Sequence, residues 1–141
     1  MQGIEIYTGN WAELGARASD IRRRVFIEEQ QVSQEEEWDG RDDLCLHFLA
    51  QRGDTALGTA RLLPDGHIGR VAVLQEARGM GVGAALMQAA IAAAQHQGHP
   101  AVELTAQTHA LAFYERLGFT AFGDIFLDAG IPHRSMRLEL I

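Results

Sequence analysis

Hydrophobic and polar residues near the start of the chain alternate with the period of an α-helix. Apolar side chains recur every three or four positions and arginines occupy much of the opposite face, so residues 11–27 are predicted to form an amphipathic helix. Asn10 precedes this stretch and Glu13 follows three positions later, a spacing typical of a capping box at a helix N-terminus. The apolar positions are Leu14, Ala18, Ile21, Val25 and Phe26.

Further along the chain, short apolar runs separated by turn residues predict β-strands. An alanine-rich stretch with helical period predicts a long helix that ends at Gly98 and Pro100. Thr108 is predicted to cap a shorter helix, and a turn at 129–132 is predicted to join the last two strands. The predicted strands cover 4–7, 44–51, 56–63, 68–74, 102–106, 119–127 and 135–140, and the later helices cover 81–97 and 108–117.

The order of these elements predicts one domain, residues 1–141, of the α/β (α+β) class. Short turns join the second, third and fourth strands, which is the pattern of an antiparallel meander. The long helix then carries the chain to a fifth strand, which the usual crossover makes parallel to the fourth. We therefore predict a mixed, mainly antiparallel central sheet of about seven strands with helices on both faces.

Composition and charge argue against several classes of function. The net charge of −7 argues against a nucleic-acid binder, which needs a basic face to replace phosphate counterions. The single cysteine, Cys45, excludes a disulfide framework and a cysteine zinc site, and His96 with His99 lacks a third ligand, so no metal is expected. No apolar run approaches the ~20 residues of a membrane span and no signal peptide is recognisable, so we expect a cytoplasmic protein without membrane association.

A cluster of glycines between the fourth strand and the long helix is the strongest chemical signal. Glycines at alternate positions leave a stretch of loop without side chains, so that its N–H groups can converge on an anion. The helix N-terminus adds about half a positive charge, and several N–H donors together suit a pyrophosphate. The alternative is purely structural: the glycines only allow the helix to pack closely on the strand. The cluster comprises Arg78, Gly79, Met80, Gly81, Val82, Gly83 and Ala84.

The same run satisfies the dinucleotide-binding pattern G-x-G-x-x-G/A, but its context argues against that kind of site. In a dinucleotide site the first glycine follows its strand almost immediately, whereas residues 74–78 intervene here. The cluster also follows an antiparallel meander rather than the first strand of a parallel sheet. The sequence contains no G-x-x-x-x-G-K-S/T loop for binding a nucleotide.

Residues 71–83 resemble the acyl-CoA signature of the GNAT N-acyltransferases, Q/R-x-x-G-x-G/A after a strand. Residues 110–119 resemble the second motif of that family. Two other stretches, 24–30 and 130–133, are similar to the small bacterial subgroup that includes ElaA and YjcF, whose acceptor substrates are generally unassigned. The likeness covers nearly the whole chain and implies a GNAT fold, in which strands four and five splay apart.

The resemblance assigns roles by position. The backbone of the fourth strand would pair with the pantetheine arm of acetyl-CoA, the co-substrate, as an added strand would. The amides of the glycine cluster would bind the pyrophosphate, and Tyr114 occupies the usual general-acid position of the family. The family often has asparagine seven residues before this tyrosine, where this chain has Gln107. The implied acyl-CoA contacts are Val71, Ala72, Val73, Gln107, Phe113 and the cluster from Arg78 to Ala84.

The implied chemistry is direct attack of an amine on the thioester carbonyl, after which coenzyme A leaves as a thiolate. Positioning the two reactants supplies much of the rate, and Tyr114 would protonate the leaving sulfur. The acceptor would be a small-molecule or peptide amine, and its deprotonation needs a base. Spacing leaves several candidates open for the base and the acceptor site: Glu29, Glu36, His67 and His109.

The segment 28–43 holds eight of the 19 acidic residues and has little periodicity. It lies where the family often shapes its acceptor site, and we expect it to attract a cationic amine by electrostatic steering; a solvated loop is the alternative. Two further possibilities stay open at this point. The chain could be a non-catalytic acyl-CoA sensor that uses the same pocket, and its exposed sheet edge could support a homodimer.

Overall fold

The computed structural model describes residues 3–141, in which the seven predicted strands and three predicted helices follow the predicted order, and a short fourth α-helix lies within the acidic segment. The strands are β1 (Glu5–Gly9), β2 (Leu46–Arg52), β3 (Thr55–Leu62), β4 (Ile68–Val73), β5 (Ala101–Gln107), β6 (Thr120–Asp128) and β7 (Ile131–Glu139). The α-helices are α1 (Trp11–Arg22), α2 (Gln34–Glu37), α3 (Val82–His96) and α4 (Leu111–Arg116). A π-helix covers Arg23–Glu29, and short 3-10 helices cover Asp42–Leu44, Gln75–Ala77 and Thr108–Ala110.

Helix α1 begins with the capping box that the sequence predicts. The Asn10 side chain accepts a hydrogen bond from the Glu13 N–H at 2.9 Å, and the Glu13 carboxylate accepts one from the Asn10 N–H at 3.0 Å. The last part of the predicted helix is the π-helix over Arg23–Glu29 rather than a continuation of α1. Such widened turns are frequent at functional sites.

The seven strands form two sheets rather than one. Strands β1, β2, β3 and β4 form an antiparallel sheet in that order, and β5, β7 and β6 form a second antiparallel sheet. The parallel relation predicted for β4 and β5 holds at a single bridge between His67 and Glu103. Beyond this bridge the two strands diverge. The expected splay is therefore confirmed, and the expectation of one continuous sheet is corrected.

Helices cover both faces of the first sheet, as predicted. Phe48 and Leu49 are neighbours on β2, and their side chains point to opposite faces because strand residues alternate. Phe48 packs with α3 in the main core, whereas Leu49 packs with α1. The main core also joins the two sheets, since Val102 of β5 and Met136 of β7 belong to it. The buried residues of α3 are Val82, Leu86, Met87, Ala90 and Ala94.

Two local predictions are corrected by the structure. Thr108 begins a 3-10 helix, and no side chain caps the start of α4. The turn between β6 and β7 is confined to Ala129 and Gly130, so the two residues after it belong to β7. Both turn residues have positive φ, 52° and 75°, which is the conformation that a two-residue hairpin turn requires.

Arginines and carboxylates form a ring of ion pairs next to α2. Arg22 of α1 lies 2.5 Å from Glu37 and 2.8 Å from Asp42. Arg61 of β3 lies 3.0 Å from Asp42 and also pairs with Asp39. The hydrogen bond from Arg61 holds the pKa of Asp39 well below its ordinary value, so this carboxylate stays charged. Asp42 therefore lies between two arginines.

Arg70 of β4 closes the ring. Its guanidinium lies 3.5 Å from Glu37 and 3.6 Å from Asp39, and it donates a hydrogen bond to the Glu37 carbonyl at 3.0 Å. The ring therefore attaches the acidic segment 28–43 to α1, β3 and β4. Since arginines neutralise part of this segment, it is not the freely solvated loop that was the alternative to electrostatic steering.

Removing one member of the ring should destabilise the fold strongly. In a Glu37→Ala variant the ring keeps its three arginines but only two carboxylates, and leaving one buried positive charge without a partner in this way costs about 3–5 kcal/mol. Urea unfolding followed by circular dichroism measures the loss. The matched control is Glu35→Ala, which changes an exposed residue of the same helix and should alter stability by less than ~0.5 kcal/mol. A loss in Glu37→Ala no larger than in the control would contradict this role of the ring.

Candidate active site

A cavity of about 810 Å³ lies where β4 and β5 diverge. Residues of β4 line one wall and residues 104–107 of β5 line the other, so the cavity occupies the splay between the sheets. The π-helix, α2, α4 and the hairpin of β6 and β7 contribute the remaining walls. The polar lining side chains include Glu29, Gln30, Glu36, Arg70, Arg78, Gln107, His109, Tyr114, Asp128 and His133.

Strand β4 carries a β-bulge inside the cavity. The pairing with β3 skips a residue between Thr59 and Arg61, so that Arg70 and Val71 together oppose a single residue of β3. Arg70 has a φ of 51°, which is uncommon for a residue with a side chain. Because β4 is the edge of its sheet, backbone groups along that edge are available to a ligand. The β4 wall includes the residues assigned to the pantetheine arm, Val71, Ala72 and Val73.

The start of α3 presents backbone N–H groups without acceptors. The first hydrogen bond of the helix runs from the Ala85 N–H to the Gly81 carbonyl, so the amides before Ala85 have no partner within the helix. Gly81 is the N-cap, and no side chain caps the helix. Gly79 and Gly81 both have a φ of 81°, and no atom lies within 4 Å of a Cβ built on either residue. The loop is therefore open to a ligand.

Gly83 has a different role from the other two glycines of the cluster. A Cβ at this position would lie 3.2 Å from Phe113 Cζ and 3.8 Å from Val73 Cγ2. The close-packing alternative therefore applies to Gly83, which lets Phe113 and β4 approach the helix. This packing brings the free amides next to the cavity wall at Val73. The other cluster residues differ in exposure: Met80 is exposed, Val82 is buried and Ala84 is half-buried.

Arg78 connects the π-helix to the end of β4. Its two terminal nitrogens donate to both carboxylate oxygens of Glu29, at 2.6 and 2.7 Å, and its Nε donates to the Val73 carbonyl at 3.1 Å. The hydrogen bonds from Arg78 lower the pKa of Glu29, so this carboxylate remains an anion with both oxygens occupied. Glu29 is therefore poorly suited to accept a proton, while Arg78 keeps a positive charge beside the free amides.

Tyr114 lies on α4 with its ring packed edge-on against Phe113 and Phe119, at centroid distances of 4.9 and 6.0 Å. Burial raises the pKa of Tyr114 to about 12. Among residues 3–141, the fully enclosed side-chain nitrogens and oxygens without a hydrogen bond are the Nε atoms of Arg61 and Arg70. The Tyr114 hydroxyl forms no hydrogen bond to these residues, and Tyr114 contributes to the wall of the cavity.

Gln107 at the end of β5 pairs with Gln30 at the end of the π-helix. The Gln107 amide nitrogen donates to the Gln30 oxygen at 2.8 Å, and the Gln30 amide nitrogen lies 3.5 Å from the Gln107 oxygen. This contact links the second sheet to the π-helix at the cavity wall. Gln107 therefore lies at the cavity even though the resemblance favours asparagine there, and Gln30 is a lining residue that spacing did not single out.

The residues expected at the acceptor site do not all line the same cavity. Glu36 lines the cavity, and its carboxylate accepts a hydrogen bond from the Ser33 hydroxyl at 2.9 Å. His109 also lines the cavity, and its side chain is exposed. His67 lines a smaller cavity at the other end of β4, where its Nδ1 lies 3.1 Å from an Asp65 oxygen. The structure thus places His67 away from the other candidates.

Two cavity residues, Arg70 and His133, were not assigned roles from the sequence. The position of Arg70 depends on the bulge and on the ion-pair ring, which join parts of the chain that are distant in sequence. His133 is buried on β7, and its Nδ1 lies 2.7 Å from the Ile131 carbonyl oxygen. Its only signal in the sequence was the similarity of residues 130–133 to the bacterial subgroup.

Residues 3–141 contain no group of three or more His, Cys, Asp or Glu side chains that could hold a metal ion. None of the helices in this part of the chain is long and apolar enough to cross a membrane.

Comparison with known proteins identifies the family. Residues 16–140, most of the chain, match the family model described as acetyltransferase (GNAT) domain. The chain belongs to the GNAT acetyltransferase family. Proteins with the GNAT fold use acyl-CoA as co-substrate, and GNAT acetyltransferases act on amine acceptors.

Individual GNAT proteins support the assignment. YjcF of Bacillus subtilis, named an uncharacterized N-acetyltransferase, is 38% identical over 123 residues, which are 84% of this chain and 88% of YjcF. ElaA of Escherichia coli is 34% identical over 131 residues, covering 86% of this chain and 84% of ElaA. The crystal structure of an acyl-CoA N-acyltransferase from Pseudomonas aeruginosa matches with a TM-score of 0.83 at 34% identity, covering 96% of this chain and 99% of that one. The resemblance seen in the motifs is therefore confirmed.

The unusual environment of Tyr114 should be visible in a spectrophotometric titration. The chain has two tyrosines, so a Tyr7→Phe variant leaves Tyr114 as the only one. Because burial raises its pKa, tyrosinate absorbance should develop at about pH 12, rather than at the ~10 of an exposed phenol. Circular dichroism at each pH verifies that the protein is still folded. A midpoint near that of an exposed phenol in folded protein would contradict the buried position of this ring.

Proposed function

We propose that this GNAT protein is an N-acetyltransferase that moves an acetyl group from acetyl-CoA to a primary amine. The observation that carries the proposal is the row of free amides at the start of α3, next to the cleft between β4 and β5. Free amides at a helix N-terminus suit a pyrophosphate, and an exposed strand edge suits an extended arm. Acetyl-CoA has both features in one molecule.

The chain offers groups for each part of the coenzyme. Amides between Gly79 and Ala84 would hold the pyrophosphate, and Arg78 would add a positive charge. The β4 edge at 71–73 would hold the pantetheine arm, and a backbone N–H near Val73 would stabilise negative charge on the carbonyl oxygen. When bound, acetyl-CoA supplies the activated thioester. The protein's contribution is mainly to position this thioester against the amine.

Tyr114 would help the sulfur to leave by donating a hydrogen bond. With a pKa of about 12 its hydroxyl stays protonated at neutral pH. A simple thiol titrates near ~8.5, so complete proton transfer from Tyr114 to the thiolate would be uphill by roughly 5 kcal/mol. Stabilisation of the developing thiolate without complete transfer fits this difference. We expect a contribution of about 10²-fold, the low end for acid catalysis.

The charges around the cavity favour a cationic amine as acceptor. Glu36 and Asp128 line the cavity without an ion pair to any residue of the described range 3–141, whereas arginines neutralise Glu29 and Glu37. The acidic segment was expected to attract a cationic amine electrostatically, and Glu36 is the residue of that segment that would mainly do so on this side of the cavity. A small-molecule or peptide amine that is protonated in solution fits the negative charge of these carboxylates.

A non-catalytic acyl-CoA sensor is the second candidate, and the position of Tyr114 in the cavity wall favours the enzyme over it. Incubation of the protein with acetyl-CoA and a panel of small amines, amino sugars and peptides separates the two functions. Thiol release that depends on at least one amine supports the enzyme. Binding of acetyl-CoA without thiol release for any amine in the panel supports the sensor.

The homodimer that the sequence leaves as a possibility has a candidate surface on the second sheet. Strand β6 is the edge of that sheet, and it exposes Phe122, Ile125 and Leu127. Exposed apolar edge strands favour pairing with another chain. These features support a homodimer formed along β6.

A negative charge placed at the free amides should weaken binding of the coenzyme. Gly79→Asp and Gly79→Asn have nearly the same shape and both tolerate positive φ, so the two variants differ mainly in charge. We expect the Asp variant to bind coenzyme A about tenfold more weakly at low salt, with a smaller difference at high salt. Isothermal titration calorimetry measures both affinities. Equal affinities of the two variants would place the pyrophosphate elsewhere.

Loss of the Tyr114 hydroxyl should slow turnover without weakening coenzyme binding. In Tyr114→Phe the ring can still pack against Phe113 and Phe119, so we expect kcat to fall about 10²-fold while KM for acetyl-CoA changes little. Initial rates with the best amine of the panel measure both constants. Tyr7→Phe, which changes an exposed residue of β1, is the control. An unaltered kcat in Tyr114→Phe would require a different acid.

A further inference from the structure

His133 is held in a fixed position and orientation at the cavity. It lies on β7, in register with Gln107 of β5, and its side chain is only 9% exposed. The ring is stacked on Phe126, at a centroid distance of 6.0 Å and an interplanar angle of 25°. Its Nδ1 lies 2.7 Å from the Ile131 carbonyl oxygen. The sheet and the backbone therefore set both the place and the rotation of the imidazole.

The contact with Ile131 determines where the ring proton lies. A carbonyl oxygen only accepts hydrogen bonds, so Nδ1 must carry the proton. A neutral imidazole has one protonated nitrogen, and Nε2 of His133 is consequently a free lone pair. Nε2 forms no hydrogen bond to residues 3–141. It is also not completely enclosed by the protein. Nε2 therefore keeps some solvent exposure, and His133 lines the cavity.

The other candidate bases are less suitable. Arg78 occupies both carboxylate oxygens of Glu29. Glu36 is exposed, and its carboxylate bonds to the Ser33 hydroxyl. His109 is exposed, and no hydrogen bond to the described residues orients its ring. Among these candidates, all within residues 3–141, only His133 combines burial at the cavity with a defined tautomer.

We propose that Nε2 of His133 is the general base that removes a proton from the acceptor ammonium, an assignment that rests on the proposed acetyl transfer. The neutral amine then attacks the thioester carbonyl, the C–N bond forms and the C–S bond breaks. Two protons leave the nitrogen in total. The first stays on His133 until solvent removes it, and the second ends on the sulfur. The products are an amide, a thiol and one released proton, with no change in oxidation state.

His133→Asn is the decisive variant, because its side-chain amide can still donate to the Ile131 carbonyl but has no basic nitrogen. The nucleophiles are n-butylamine, which is a cation at neutral pH, and hydroxylamine, which is largely uncharged there. With n-butylamine we expect kcat to fall about 10²–10⁴-fold while KM for acetyl-CoA is unchanged. With hydroxylamine the rate should change little, because this nucleophile needs no base to free its lone pair. His96→Asn, an exposed position on α3, is the control and should match the unaltered protein with both nucleophiles.

Each other outcome overturns the assignment in a distinguishable way. An equal loss of rate with both nucleophiles indicates a structural role for His133. Full activity of His133→Asn with n-butylamine excludes His133 as the base. An unaltered protein that transfers to neither of these nucleophiles nor to any amine of the panel contradicts the proposed function together with this assignment. Nitrogen NMR of the neutral ring, assigned by comparison with His133→Asn, tests the tautomer independently of activity. A proton on Nδ1 supports the proposal, and a proton on Nε2 overturns it.

Discussion

Backbone N–H groups that the fold leaves without acceptors are the constraint on which the site depends. A helix cannot satisfy the amides of its own first turn, and α3 has no side-chain cap to do so. Gly79 and Gly81, both with positive φ, keep these amides open. An anion with several oxygens can satisfy several amides at once, so the pyrophosphate that we propose to bind here would complete hydrogen bonding that the chain alone leaves incomplete.

Strand β4 connects the parts of the site. The single bridge between His67 and Glu103 fixes one end of the cleft, and the core under α3 keeps the diverging sheets together. The bulge at Arg70 lies in the cleft wall, and the same arginine closes the ion-pair ring that holds the acidic segment. Val73 at the end of β4 accepts the bond from Arg78 beside the amides. The proposed coenzyme side and the proposed acceptor side of the cavity are therefore held by one strand.

The helices and strands, and the free N–H groups at the start of α3, were predictable because their signals act over a few residues. Examples are the capping box at Asn10 and the spacing of the glycines. The hydrophobic pattern alone predicted one continuous sheet, and the expectation that β4 and β5 splay apart came from the family resemblance. The ion-pair ring joins residues distant in sequence, so composition alone could not show that Glu37 is buried and neutralised. His133 had no spacing signal, because its orientation comes from a carbonyl and a ring brought to it by the hairpin of β6 and β7.

A crystal structure of the protein with coenzyme A tests the central claim most directly, because it locates the pyrophosphate. We expect phosphate oxygens within hydrogen-bonding distance of the amides between Gly79 and Ala84, and the pantetheine arm along the edge of β4. Coenzyme A bound at another surface, with these amides facing only solvent, would contradict the claim.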